Sequence, residues 1–303
     1  MMILSDFQKK ISELVPEIEL RLNEPLSKHT SFRIGGPAEV MAFPQNPQEL
    51  GELLKTSALL DCKPAILGAG TNVLAPDEGV NGLVVCLKDC LGGLRQLDEC
   101  RIWIAGGVTM TRAAVFAAGL GLGGLEFAHG IPGTVGGGVY MNAGAYGGEI
   151  STVCESVDVM TYDGDILSLS AEQMEFSYRH SRLADSPGIV LGAVFSLTKK
   201  PETEIKALMQ ELIAKRKASQ PLELPSAGSA FKRPVGGYAA ALIDQAGLKG
   251  FQIGGAAVSV KHAGFVVNMG GATAADVSAV LHHVSEIVYD KTGIRLEPEV
   301  RIW

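Results

Sequence analysis

Three short stretches carry residue types that can hold an anion or move a proton. Tyr178-Arg179-His180-Ser181 sets a cation beside an aromatic ring. Ser226-Ala227-Gly228-Ser229-Ala230-Phe231-Lys232-Arg233-Pro234 presents hydroxyls among small residues and follows them with two adjacent cations suited to phosphate or carboxylate. Leu296-Glu297-Pro298-Glu299-Val300-Arg301-Ile302-Trp303 places acids inside a terminal apolar strand. Each also has a plain structural reading: a surface loop, a solvated loop, and a strand whose alternate residues face water. None sets a nucleophile beside an obvious base, and G-x-S-x-G does not occur, so Ser-His-Asp hydrolysis is poorly supported.

The elements that would position these groups are rich in glycine. Gly68-Ala69-Gly70-Thr71-Asn72 follows the short strand at 65–67, and small residues there leave backbone N–H groups free to converge on an anion. Thr71 and Asn72 add side-chain donors, although an ordinary β-turn has the same composition. Further on, twelve of the thirty residues from Gly119 to Gly148 are glycine. Glycine costs backbone entropy and gives no side chain to a core, so this density points to close approach of the main chain to a ligand. Together, loops 68–72 and 130–138 could enclose one pyrophosphate from both sides. Gly119, Gly121 and Gly124 match G-x-G-x-x-G, but that fingerprint must follow a strand and open a helix. These glycines close a helix expected at about 111–118, so Gly119 is read as its C-terminal cap. From His129 to Gly148 the glycine, proline, alanine and asparagine content argues against ordinary helix or strand.

Composition narrows the classes. With 303 residues and 47% hydrophobic content the chain can bury a large core, and two domains are expected. A net charge of −7 and a pI near 5.4 argue against broad nucleic-acid binding, which needs a basic face. The first fourteen residues mix charges into their apolar positions, unlike a signal peptide, and the longest uncharged run is too glycine-rich for a membrane helix. A cytoplasmic protein without membrane insertion is expected. Five cysteines with no C-x-x-C pair suit reduced thiols, and Cys86 and Cys90 read as small buried residues rather than metal ligands. His282 and His283 are helical neighbours and diverge by about 100°, so no metal site is expected.

Local signals place the remaining elements. Asp6 is expected to cap a helix bearing Phe7, Ile11 and Leu14, and Asn46-Pro47 with Glu49 to open another. Strands are expected at 39–43, 83–87, 101–105, 153–162, 165–169 and 189–197, with Asp163-Gly164 marking a hairpin. Ser170 to Gln173 has capping-box spacing, which puts the Tyr178 stretch just after a short helix. A helix over 202–218 should bury Ile205, Leu208, Leu212 and Ile213. Beyond it, an apolar helix near 238–246, strands near 253–260 and 265–268, and a helix over 273–291 suggest an α/β lobe.

In this order, the glycine segment, TSFRIGG at 30–36, LGAGTNVL at 67–74, YRHS at 178–181, AGSAFKRP at 227–234 and LEPEVRI at 296–302 resemble the UDP-N-acetylenolpyruvoylglucosamine reductase (MurB) family from about residue 30 onward. The compact spacing, without an added tyrosine-bearing loop, resembles its type II branch. The resemblance implies an α+β, two-lobed FAD-binding fold of the vanillyl-alcohol oxidase type plus a C-terminal α/β substrate-binding domain. The implied boundaries are 1–199, with lobes of about 1–60 and 61–199, and 200–303, whose final strand returns to the active site. It implies FAD contacts from Arg33, Gly68, Ala69, Gly70, Thr71, Asn72, Ile131, Pro132, Gly133, Thr134, Gly137, Asn142, Ala143 and Gly144. It also implies a catalytic trio of Arg179, Ser229 and Glu299, with Tyr178, Lys232 and Arg233 toward the substrate. Gly138 stands where the family often has alanine. NADPH as hydride donor, an enolpyruvyl UDP-sugar as substrate and a monomer complete the expectation. Its alternatives are another flavin-dependent oxidoreductase of this fold and a non-enzymatic nucleotide-binding protein.

Overall fold

The α+β architecture follows from two kinds of local signal: β-branched runs that pair as strands, and capped segments that become helices over them. The computed structural model describes residues 5–88 and 90–303. By contact these divide into two units, and each has its own core. The first comprises residues up to Asn23, Glu39–Ala69 and Asn81–Ala214; the second comprises Glu24–Ala38, Gly70–Val80 and Lys215–Trp303. Segments 24–38 and 70–80 therefore group with the C-terminal part and not with their sequence neighbours.

Two sheets organise the first unit. One has the order Glu19–Pro25, Pro37–Phe43, Val80–Cys86, Ala65–Leu67, with the last pair parallel. The helix Pro47–Leu59 buries Leu50, Leu53 and Leu54 in one cluster with Val40, Ala42, Leu83 and Val85. Its cap is as expected: Asn46 Oδ1 accepts the Glu49 N–H at 2.9 Å. The other sheet has five antiparallel strands, in the order Ile166–Ser170, Cys154–Met160, Ile189–Ser196, Arg101–Ala105, Leu94–Gln96. The Asp163-Gly164 hairpin is present, closed by Thr161 N–H to the Asp165 carbonyl at 2.8 Å with Gly164 left-handed at φ +89°. Phe195, Ile102 and Ile104 pack in one cluster with Ala113, Ala114 and Ala117 of the helix Met110–Gly119. Burying one such large side chain stabilises the fold by about 1.5–3 kcal/mol.

The second unit is a three-stranded antiparallel sheet, Gln252–Ile253, Ala256–Val258 and Val266–Asn268, packed by the helices Ala239–Gln245 and Ala274–Thr292. Val277, Val280, Leu281, Val284 and Val288 form the long helix's buried stripe, and Phe32, Ile34 and Leu74 join the same core. Thr273 and Asp276 make the expected capping box. The last strand, Arg301–Ile302, pairs in parallel with Val73–Leu74.

Several local expectations are corrected. Ser5 and not Asp6 caps the first helix, in a capping box with Gln8, and Leu14 is 48% exposed. The polar strand Glu19–Pro25 had no apolar run to announce it. The left-handed residue after the helix Met110–Gly119 is Gly121, φ +67°, and not Gly119. Within His129–Gly148 there is a helix after all, Val135–Tyr140: Thr134 caps it, and Val135 and Val139 are fully buried. Two glycines in it allow close packing, since a Cβ on Gly136 would lie 3.1 Å from the Gly106 carbonyl oxygen and one on Gly138 2.8 Å from Met110 Sδ. Ser170 and Gln173 exchange both capping-box hydrogen bonds, yet only turns follow. In the helix Glu202–Ser219, Met209 is buried and Leu208 is 38% exposed. No helix among the described residues is long and apolar enough to cross a membrane.

Candidate active site

The hydroxyl-bearing loop belongs to the second unit, where three neighbours clip it. The Ala230 N–H donates to the Gly264 carbonyl at 2.8 Å, and the Ala230 carbonyl accepts the Glu299 N–H at 2.9 Å. Phe231 bridges Pro298, and the Lys232 N–H donates to the Glu297 carbonyl at 2.9 Å. Residues 230–232 thus run antiparallel to 297–299, with Glu299 opposite Ala230, the residue that follows Ser229. Gly228, left-handed at φ +77° with open space where a Cβ would stand, turns the chain so that Ser229 is exposed. Glu299 is half-buried.

The loop at 70–74 lies along the same strand. Asn72 Nδ2 donates to the Glu299 carbonyl at 3.2 Å, and the Arg301 N–H donates to the Asn72 carbonyl at 3.0 Å. Ser31 joins two motifs: its N–H donates to the Gly70 carbonyl at 3.0 Å and its hydroxyl to the Ser226 carbonyl at 2.6 Å. Gly70 is left-handed at φ +61°, and a Cβ there would stand 2.1 Å from the His29 carbonyl oxygen. Around Ser31 the chain alternates, with Phe32 and Ile34 buried and Arg33 exposed and left-handed at φ +56°. Nearby, Lys232 is ion-paired with Glu297, and the Arg233 guanidinium lies 4.5 Å above the Tyr238 ring.

The first unit holds Gly68, Ala69 and the glycine loop at 130–138. Gly68 approaches Thr134 so closely that a Cβ would sit 2.7 Å from its hydroxyl oxygen. That oxygen accepts the Gly137 N–H at 3.3 Å and caps the short helix. Gly133, φ +137°, accepts the Met110 N–H at 2.9 Å, and the Val135 N–H reaches the Val108 carbonyl at 2.8 Å. Ile131 is half-buried and Pro132 exposed, beside His129, whose Nδ1 is buried without a hydrogen-bond partner. Burial lowers the His129 pKa and keeps that ring neutral. Ala69 is half-buried between the two glycines, and Thr71 is half-buried just beyond them. Within this unit Gly68 and the run Gly133–Gly137 form a cradle from which side chains are excluded, and its chemistry suits a large phosphate-bearing cofactor such as FAD.

Arg179 is held by the same unit. Ser177 and His180 exchange backbone hydrogen bonds of 3.1 and 3.2 Å, which leaves Tyr178 and Arg179 at the tip of a tight turn. Arg179 takes a left-handed φ of +55°, a conformation that costs a non-glycine residue about 1–3 kcal/mol and persists only when its surroundings hold it. Three contacts do so. Arg179 Nη2 donates to the Gly144 carbonyl at 3.1 Å, Asn142 Nδ2 to the Ser177 carbonyl at 3.0 Å, and Ser181 Oγ to the Tyr140 carbonyl at 2.8 Å. Asn142, 1% exposed, also accepts the Ser151 N–H at 2.9 Å, so its amide braces the turn from both ends. The Ala143 N–H closes on the Gly138 carbonyl at 2.8 Å.

Sequence reading did not single out Ser31, His262, Asn268 or Asp77. Asn268 Nδ2 donates to the Phe32 carbonyl at 3.0 Å, and Asp77 accepts the N–H groups of Ala274 and Ala275 at 2.8 and 3.1 Å. These partners of Ser31, Asn268 and Asp77 lie roughly forty to more than two hundred positions away along the chain, and no local spacing rule spans that distance.

Two family models match the chain. A model of FAD-binding domains matches residues 38–170, and one described as UDP-N-acetylenolpyruvoylglucosamine reductase, C-terminal domain, matches residues 220–303. The UDP-N-acetylenolpyruvoylglucosamine reductase of Agathobacter rectalis is 45% identical over 307 residues, covering 98% of each chain. That of Levilactobacillus brevis is 45% identical over 292 residues, covering 96% of this chain and 95% of its own. The crystal structure of the enzyme from Thermus caldophilus superposes with a TM-score of 0.78 at 34% identity, covering 95% of this chain and 99% of that one.

Proposed function

We propose that this chain, which belongs to the UDP-N-acetylenolpyruvoylglucosamine reductase family, reduces UDP-N-acetylglucosamine enolpyruvate to UDP-N-acetylmuramate in peptidoglycan precursor synthesis. The observation that supports the reading is the backbone clip from Ala230, which follows Ser229, to Glu299, whose carbonyl also accepts from Asn72 of a glycine loop. When bound and reduced by NADPH, FAD would supply the hydride needed at C3 of the enolpyruvyl group. Gly68, Ala69, Gly70, Thr71, Asn72 and the run from Ile131 to Thr134 hold it, aided by Arg33, Gly137 and the segment Asn142–Gly144.

Each catalytic side chain then answers one demand of the substrate. Negative charge builds at C2 and spreads into the substrate carboxylate, and Arg179 places a fixed cation there. Ser229 gives its proton to C2. A hydroxyl is a weak acid, so this transfer needs close contact with a strongly basic carbanion-like centre, and the clipped loop supplies the positioning. Glu299 orients and polarises the enol system. Tyr178, Lys232 and Arg233 engage the substrate, with Lys232 exchanging Glu297 for a substrate anion. In this reading residues 1–199 form the cofactor domain and 200–303 the substrate domain of a cytoplasmic, monomeric type II enzyme.

Ser229→Ala tests the reading. Reduction of the flavin by NADPH should proceed at close to the wild-type rate, while reoxidation by the enolpyruvyl substrate slows. Equal survival of both half-reactions would remove Ser229 from the role of acid.

A further inference from the structure

Behind the Ser229 loop stands a histidine that none of the steps above uses. Gly264 receives the loop through its carbonyl, which accepts the Ala230 N–H at 2.8 Å, and its own N–H donates to His262 Nδ1 at 3.1 Å. The ring is fixed on that side, since a Cβ on Gly264 would meet His262 Cε1 at 3.1 Å and Nδ1 at 3.2 Å. Phe265 holds it edge-on with centroids 5.1 Å apart, and the Phe265 N–H donates to the His262 carbonyl at 3.0 Å. Ser259 Oγ, in a buried residue, accepts the N–H groups of Lys261 and His262 at 3.2 and 3.3 Å. One residue, Gly264, therefore lies between the imidazole and the backbone of the residue that follows Ser229, with its N–H on the ring and its carbonyl on the Ala230 N–H.

We propose that His262 is a positioning residue for the proton donor. Its neutral imidazole accepts the Gly264 N–H, this orients the Gly264 carbonyl toward the Ala230 N–H, and the clip from Gly264 through Ala230 to Glu299 sets Ser229 in place. The inference rests on Ser229 being the acid of the reoxidation half-reaction.

The arrangement works with only one protonation state. A neutral ring whose proton sits on Nε2 offers Nδ1 as acceptor, whereas the imidazolium presents N–H at both nitrogens and would face the Gly264 N–H donor to donor. Burial, and then the positive charge of Lys249, oppose protonation; a backbone hydrogen bond favours it, and the net shift is downward. Lys249 is itself paired with Asp244 at 2.6 Å. On the ring's own segment, Lys261 sends its ammonium to the Lys217 carbonyl at 2.8 Å and to Glu223 at 3.8 Å. The clip is intact at neutral pH and opens as the pH falls below the ordinary histidine range near about 6.5.

The experiment uses the FAD-loaded full chain and follows the two half-reactions separately by stopped flow across pH, with NADPH as reductant and UDP-N-acetylglucosamine enolpyruvate as oxidant. In the wild type, reoxidation should fall on the acid side while flavin reduction does not follow it. His262→Ala should slow reoxidation about tenfold or more at neutral pH, the scale of one lost hydrogen bond in the barrier, converge with the wild type on the acid side, and leave reduction within about threefold. His262→Asn keeps an oxygen able to accept the i+2 N–H but cannot titrate, so it should restore the neutral-pH rate and abolish the acid fall. If the alanine variant does not fold, the asparagine pH profile decides alone. Reoxidation unchanged in His262→Ala, or an acid fall retained in His262→Asn, overturns the inference. Ser229→Ala run in parallel separates the two claims: normal reoxidation there refutes the acid assignment itself. Slow reoxidation there with wild-type behaviour in both His262 variants refutes only the positioning role.

Discussion

Adding one methyl group at Gly68 probes the cradle where its two loops touch. The new Cβ would sit 2.7 Å from Thr134 Oγ1, well inside the 3.4 Å at which ordinary contact begins, and Thr134 is only 2% exposed. The threonine must turn, which breaks its cap on the Gly137 N–H. Losing such a cap costs about 0.5–2 kcal/mol, and an off-rotamer side chain about 0.5–1.5 kcal/mol more. Gly68 is not left-handed, so alanine also restricts the unfolded chain and returns about 0.4–1 kcal/mol. The expected net loss is about 1–2 kcal/mol. In a Thr134→Ala background the obstacle is gone, because Thr134 Cβ lies an ordinary 3.8 Å from the new group. There Gly68→Ala should be neutral or slightly stabilising. Urea unfolding of the flavin-free full chain for the four members of this cycle measures the coupling, expected at about 1–2 kcal/mol. Costs that add to within about 0.3–0.5 kcal/mol would refute the contact as the reason for glycine at position 68.

Two further outcomes follow from the same geometry. Asn142→Ala strands the Ser151 N–H and the Ser177 carbonyl, and should cost about 2–4 kcal/mol in unfolding free energy while lowering turnover through the Arg179 turn; unchanged stability would remove Asn142 as the brace. Asp276 has its pKa lowered by the N–H groups of Thr273 and then Gly255, so the stability it supplies is present above the unfolded value of about 3.9 and is lost as the pH falls through its lower native pKa. Acid titration of Asp276→Asn should therefore show a shallower loss than the wild type below about pH 4, and parallel curves would exclude the assignment.

What the sequence disclosed was what local chemistry controls. Asn46-Pro47, Asp163-Gly164 and Thr273 with Asp276 act over a few residues, and each formed the feature its spacing implied. Glycine density drew notice to the loops at 68–72 and 130–138, yet it concealed the helix Val135–Tyr140, because there glycine serves close packing against Gly106 and Met110 and does not break the helix. The helix Glu202–Ser219 was placed correctly and its buried face in part: Ile205 packs inward as expected, but Met209 takes the place expected of Leu208. The site's supports were hidden for a different reason. Ser31 to Ser226, Asn142 to Ser177 and His262 through Gly264 to Ala230 are contacts between turns, made by backbone groups whose partners only the fold selects. The contact division that places 24–38 and 70–80 with the C-terminal residues belongs to the same class, since no composition shift marks it.

The proposed reaction passes hydride from NADPH, through a bound flavin, to an enolpyruvyl UDP-sugar. Its most direct test is an anaerobic titration of the FAD-loaded protein followed by its visible spectrum. NADPH should bleach the flavin absorbance stoichiometrically, and one equivalent of UDP-N-acetylglucosamine enolpyruvate should restore it with formation of UDP-N-acetylmuramate. A protein that takes up no FAD, or a bleached flavin that the enolpyruvyl substrate leaves bleached, would contradict the account.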